Sequence, residues 1–179
     1  MPLIEKCRFC NVKIKKFMTF GKMPIANAFI TKEEITTESY FELAPAYCPS
    51  CSLFQLIDQP DPEILFHENY AFMAGESSVF MQNHFKDLAV KCINDFNLSY
   101  DDLTVEIGNN DGGIIEYLMH QGFNHLGIDP SKNVSDVASS KGINVINAFF
   151  NKETALKVRR EYGGVKLLLA ANTLAHIPD

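Results

Sequence analysis

Cys7-Arg-Phe-Cys10 and Cys48-Pro-Ser-Cys51 are the residues of this sequence whose types and spacing are best suited to chemistry. A Cys-x-x-Cys turn lets two thiolates take adjacent corners of a tetrahedron about zinc, and two such turns supply four ligands. With sulfur at every corner no position is left for water or substrate, so the pattern predicts a structural metal rather than a catalytic one. The 37 residues between Cys10 and Cys48 exceed the usual gap, so the intervening chain must fold as part of the same module. A redox pair or unrelated buried thiols are the competing readings. Cys92, the fifth cysteine, falls on the apolar stripe of a helix and reads as core.

The second constellation is the run Val105-Glu-Ile-Gly-Asn-Asn-Asp-Gly-Gly113, which joins an apolar strand to a helix. It therefore lies at the C-terminal end of a parallel strand, where open sheets bind ligands. A pyrophosphate would need Gly-x-Gly-x-x-Gly, but two residues after Gly108 stands Asn110, so a dinucleotide is not expected. S-adenosylmethionine carries no phosphate, and its amino acid part needs carboxylate and amine partners that such a loop can supply. Asp129 closes the next strand 21 residues after Gly108, near the offset at which an acid accepts hydrogen bonds from ribose hydroxyls. The competing readings are a tight turn at Gly108 and a turn-initiating aspartate before Pro130.

The elements that must position these residues follow from periodicity. Residues 1–66 mix short apolar runs with turn signals at Gly21, Pro24, Pro45, Pro49, Pro60 and Pro62, which suits a loop-rich module of short strands. Residues 67–98 read as a linker with an amphipathic helix. Ser77 or Ser78 is its N-cap, and Phe85, Leu88, Ala89, Cys92, Ile93 and Phe96 form its stripe. From residue 99 to 179 strands and helices alternate: LTVEIG, GGIIEYLMHQG, HLGIDP, NVSDVASSKG, INVINAFF, NKETALKVRREYGG capped by Asn151, and VKLLLAANTL. Such alternation implies right-handed crossovers and a parallel α/β sheet.

Composition sets the surroundings. The chain is 46% apolar, ample for a core, and its net charge of -6 lacks the basic excess that a nucleic-acid partner would need. The N-terminal residues do not read as a signal peptide, and no run approaches the roughly 20 apolar residues of a membrane span. A cytoplasmic protein is expected, in which cysteine pairs more often bind metal than form disulfides.

Together these stretches resemble the zinc-containing sugar C-methyltransferases that act on nucleotide-linked keto-deoxysugars. The matching segments are CRFC with MPIANAFI, YCPSCSLFQLI, VEIGNNDGG, GIDPSKNVSDVASSKGI and AANTLAHIPD, in family order from Cys7 to Asp179. The resemblance implies zinc on Cys7, Cys10, Cys48 and Cys51, and an incomplete Rossmann-like sheet of the class I methyltransferase type. It also implies S-adenosylmethionine contacts from Glu106, Gly108, Asn110, Asp111 and Asp129, with Asn172 lining the site. Departures fall in NYAFMAGESS, where Tyr70 remains but Phe72 and Ala74 are less polar than the family pattern.

In such an enzyme a base removes a proton beside the sugar keto group, and the enolate attacks the sulfonium methyl in line, with enzyme groups aligning the partners. His176, after the fourth strand, and Tyr70, as a donor, are the catalytic candidates. A hydrogen-bonded histidine and a packed aromatic are the alternatives for them. The family's second sugar-binding domain and its Glu-His pair have no counterpart among these residues, so the chain is expected to be an N-terminal fragment inactive alone. A fourth strand without the fifth beside it would leave an apolar edge and favour self-association. A methyltransferase with another acceptor, and a non-catalytic zinc-binding interaction module, are the other readings.

Overall fold

Short antiparallel pairings build the N-terminal part of the chain. The computed structural model describes residues 3–26, 28–75 and 78–177, and the chain divides into two units, Met1–Leu65 and Phe66–Asp179. In the first unit β1 (Lys15–Lys16), β4 (Pro45–Tyr47) and β5 (Phe54–Leu56) form a three-stranded sheet, and β2 (Lys22–Pro24) pairs with β3 (Tyr40–Glu42). A single helical turn, α1 (Pro62–Leu65), closes the unit. Its main buried cluster is Cys7, Ile14, Ala44, Ala46, Cys48 and Ile57, so two of its six members are themselves thiols of the knuckles. That is little apolar surface with which to order some sixty residues.

The second unit begins with a segment without regular structure and then α2 (Val79–Asp95). Ser78 caps this helix, its Oγ accepting from the Met81 N–H at 3.2 Å; Ser77 lies outside the described residues. Residues 67–98, read from sequence as a linker, belong to this unit because Ala89 and Cys92 enter its core, with Phe85, Leu88 and Ile93 packed against it. Phe96, expected on the same stripe, is instead 50% exposed: the helix ends at Asp95, and the chain turns out through Asn97 at φ 46°.

Beyond it lie β6 (Leu103–Ile107), α3 (Gly113–His120), β7 (His125–Asp129), α4 (Lys132–Ser140), β8 (Val145–Asn147), α5 (Lys152–Tyr162) and β9 (Val165–Leu169). The four strands are parallel in the order β8-β7-β6-β9, the third, second, first and fourth of the unit, which is an incomplete Rossmann-like sheet. Asn151 caps α5 by accepting from the Thr154 N–H at 2.9 Å, as its position in the sequence predicts. The last two strands are shorter than the apolar runs that announced them. After Asn147 the chain leaves the sheet to reach the Asn151 cap, and after Leu169 it turns through Asn172 at φ 55° into a single turn of 3-10 helix, Leu174–His176.

Side chains alternate across the sheet. Leu103 and Val105 of β6 join Leu126, Ile128, Ile146 and Val158 on the face that α5 covers. A second cluster carries α2 and α3 through Ala89, Cys92, Ile114, Ile115 and Leu118. Thr104 and Glu106 alternate with the first set, and Glu106 reaches the backbone N–H of Ile115 in the first turn of α3. A carboxyl is thus carried into the interior on the central strand, one residue before the loop that sequence spacing singled out.

Candidate metal centre and cofactor cleft

The four cysteines converge. Their sulfurs all lie within 4.8 Å of one another, with Cys7 Sγ 3.6 Å from Cys51 Sγ and Cys10 Sγ 3.3 Å from Cys48 Sγ. Those separations exclude disulfides, whose sulfurs sit about 2.05 Å apart. They approach the edge of a tetrahedron with metal-sulfur bonds of about 2.3 Å, which is about 3.8 Å. The two knuckles are built alike. Cys7 N–H donates to Val12 O and Asn11 N–H to Cys7 O; Cys48 N–H donates to Leu53 O and Ser52 N–H to Cys48 O. Asn11 and Ser52, each one residue past the second thiol of its pair, have φ of 61° and 63°, the left-handed conformation that reverses the chain.

Backbone groups prepare the thiols for a cation. The N–H of Cys10 holds the Cys7 thiol below its usual range, and the N–H of Cys51 brings Cys48 down to about 6. Cys51 receives the Leu53 N–H, which lowers it, but burial and the other three sulfurs push it up to about 12. Four thiolates this close cannot all ionise unaided, and a divalent metal supplies the missing positive charge. The donor set therefore fits zinc held by Cys7, Cys10, Cys48 and Cys51.

In the second unit the loop after β6 and the end of β7 meet. Gly108 has φ 69°, and a Cβ there would lie 2.2 Å from Thr173 Oγ1, so conformation and close approach both require glycine. Asp129 is buried, and its two oxygens accept the N–H groups of Asn110 at 3.0 Å and Ser131 at 2.9 Å. Burial raises its pKa against the pull of those two bonds and of the Ser131 hydroxyl. Each oxygen keeps a further lone pair. Glu106 is only 4% exposed; burial pushes it up to about 8, the Ile115 N–H opposing and the neighbouring Asp129 and Asp111 adding to the rise. Among the described residues its Oε2 has no hydrogen-bond partner. An unpartnered buried carboxyl oxygen at the C-terminal end of a parallel strand is what a polar cofactor would satisfy.

The remaining expected site residues are placed less directly. Asn110, at φ 52°, spends its side chain on the backbone of residues 72 and 74. Asp111 is fully buried, accepting from the Gly75 N–H at 2.6 Å and lying 3.6 Å from the Lys141 Nζ. Asn172 is exposed in the turn after β9, whereas its neighbour Thr173 covers Gly108. Tyr70 and His176 are brought together through Phe66, whose ring centroid is 5.7 Å from that of Tyr70 and 5.6 Å from that of His176. Phe66, Asn133, Lys141 and Thr173 were missed by the sequence reading. Asn133, Lys141 and Thr173 lie inside stretches already singled out, and none has a residue type that marks it.

Residues 7–66 match the family model described as "Putative zinc binding domain". Over 178 residues the chain is 30% identical to C-methyltransferase NovU of Streptomyces niveus, an overlap that takes in 98% of this chain. The chain spans 42% of the length of that relative. Both findings agree with the resemblance drawn from the motifs. Among the described residues no helix is long and apolar enough to cross a membrane.

Proposed function

We propose that the chain is the zinc-stapled, cofactor-binding part of an S-adenosylmethionine-dependent C-methyltransferase acting on a nucleotide-linked keto-deoxysugar. The observation that carries this reading is the pairing of Gly108 with buried Asp129 and Glu106 at the ends of two adjacent parallel strands. The similarity to a C-methyltransferase supports the reaction class. Bound there, the cofactor supplies an electrophilic methyl on a sulfonium.

The chain's own residues bind and align. Asp129 accepts from the ribose hydroxyls with the lone pairs its two backbone bonds leave over. Glu106 receives the amino group of the methionyl part, and Gly108 lets that part approach the backbone. Tyr70 and His176, grouped by Phe66, serve the acceptor: the Tyr70 hydroxyl donates to the sugar keto oxygen, and His176 takes part in proton transfer beside it. The zinc takes no part in these steps, because its four corners are filled by sulfur.

Calorimetry with S-adenosylhomocysteine tests the reading. Asp129→Ala removes charge-assisted hydrogen bonds worth about 1.5 to 3 kcal/mol, so affinity falls by about tenfold or more while NAD gives no heat. Unchanged affinity removes Asp129 from the site. The edge of β9 gives a second expectation. That strand pairs only with β6 among the described residues and exposes Val165 and Leu168. Self-association through this edge is expected by light scattering, and Leu168→Lys should suppress it; a monodisperse unsubstituted chain would contradict this.

A further inference from the structure

Residues 68–75 lie outside any helix or strand beside the ends of β6 and β7, and their polar groups are paired one after another. Asn133 in the first turn of α4 receives the Tyr70 N–H on Oδ1 at 3.1 Å and donates Nδ2 to Tyr70 O at 2.7 Å; its own N–H reaches Glu68 O at 3.2 Å. Asn110 repeats the arrangement, donating Nδ2 to Phe72 O at 2.9 Å and receiving the Ala74 N–H on Oδ1 at 2.9 Å. Asp111 then takes the Gly75 N–H. Two carboxamides thus stand in for a neighbouring strand. Each offers one donor and one acceptor at the same reach, which only Asn and Gln side chains can do. The clamped stretch carries Tyr70, half-buried against Phe66.

We propose that Asn133 and Asn110 are positioning residues that clamp this strap and so fix the Tyr70 ring in its place against Phe66 at the cleft. The inference rests on the reading of Tyr70 as an acceptor-side donor, and it removes the Asn110 side chain from direct cofactor contact. Burial and the nearby Asp129 carboxylate raise the Tyr70 pKa, which makes its titration a gauge of where the ring sits.

The test is the pH titration of the Tyr70 ring by carbon-13 NMR in the 179-residue chain without cofactor, with Tyr70→Phe assigning the signal. In the unsubstituted chain Tyr70 titrates above the ordinary tyrosine value. Asn133→Ala should return it toward that value, Asn133→Gln should recover part of the shift, and S-adenosylhomocysteine affinity should change by less than about threefold. Asn110→Gly removes the second clamp at a left-handed position that glycine accepts without strain, and should act in the same direction. Unchanged Tyr70 titration in both Asn133→Ala and Asn110→Gly overturns the clamp. Failure of S-adenosylhomocysteine to bind the unsubstituted chain overturns the cofactor reading instead, since the ring titration is measured without it.

Discussion

Replacing Cys48 with serine, or stripping the metal with a chelator, is expected to unfold residues 3–65 while the second unit keeps its structure. Apart from its thiols and two alanines, the main cluster of the N-terminal unit holds only Ile14 and Ile57. Fully burying one such side chain contributes about 1.5 to 3 kcal/mol, whereas ordering each residue costs about 1 to 2 kcal/mol. Structural zinc contributes apparent free energies on the order of 10 kcal/mol in small modules, so here it decides whether the unit folds. Elemental analysis should find about one zinc per chain. In a nitrogen-proton correlation spectrum, Cys48→Ser should collapse the dispersed signals of the first unit and leave those of β6 and β7 in place. Cys92→Ser, at a position in the buried cluster that also holds Ala89 and Ile114, should leave the zinc content unchanged. Less than half an equivalent of zinc, or a folded first unit after chelation, would contradict the assignment.

What could be read from sequence divides along physical lines. The knuckles were legible because metal geometry fixes a local spacing, and the sheet because buried parallel strands and amphipathic helices have distinct periods. The closeness of the Gly108 loop and Asp129 was legible because each sits at the C-terminal end of one of two strands that the strand order makes neighbours. The clamp was not. Asn110 and Asn133 have an ordinary residue type, and their partners are backbone groups 36 to 63 positions away in a segment without regular structure, so no local pattern records the contact. Thr173 escaped for a similar reason: its closeness to Gly108 exists only once β9 lies beside β6. The end of α2 shows the limit of periodicity, which continued the stripe to Phe96 although the chain turns away at that residue.

Replacing Glu106 with glutamine should stabilise the second unit and weaken the binding of S-adenosylhomocysteine at the same time. Folding raises the Glu106 pKa from its ordinary value of 4.5 to about 8. Across that window the folded chain holds a proton that the unfolded chain has released. Stability therefore falls as pH rises from 4.5 and levels off above about 8, and at pH 7 the cost is on the order of 1 to 3 kcal/mol. Glutamine is neutral and nearly isosteric, and its side-chain oxygen can still accept the Ile115 N–H. The substituted chain should match the original below pH 4.5, melt several degrees higher at pH 8, and lose most of the pH dependence between. Asp129, also raised by burial, contributes a slope of the same sign that survives the change. Binding should move the other way. An ammonium group placed against Glu106 favours the carboxylate, so cofactor binding at pH 7 draws the proton off and releases it to buffer. Calorimetry in buffers of different ionisation enthalpy should then count close to one proton released by the original chain and almost none by Glu106→Gln, with affinity lowered about tenfold. A glutamine variant no more stable at pH 8 would show that the carboxyl is not held neutral in the fold. One that is more stable but binds unchanged would leave the buried charge without a cofactor to meet.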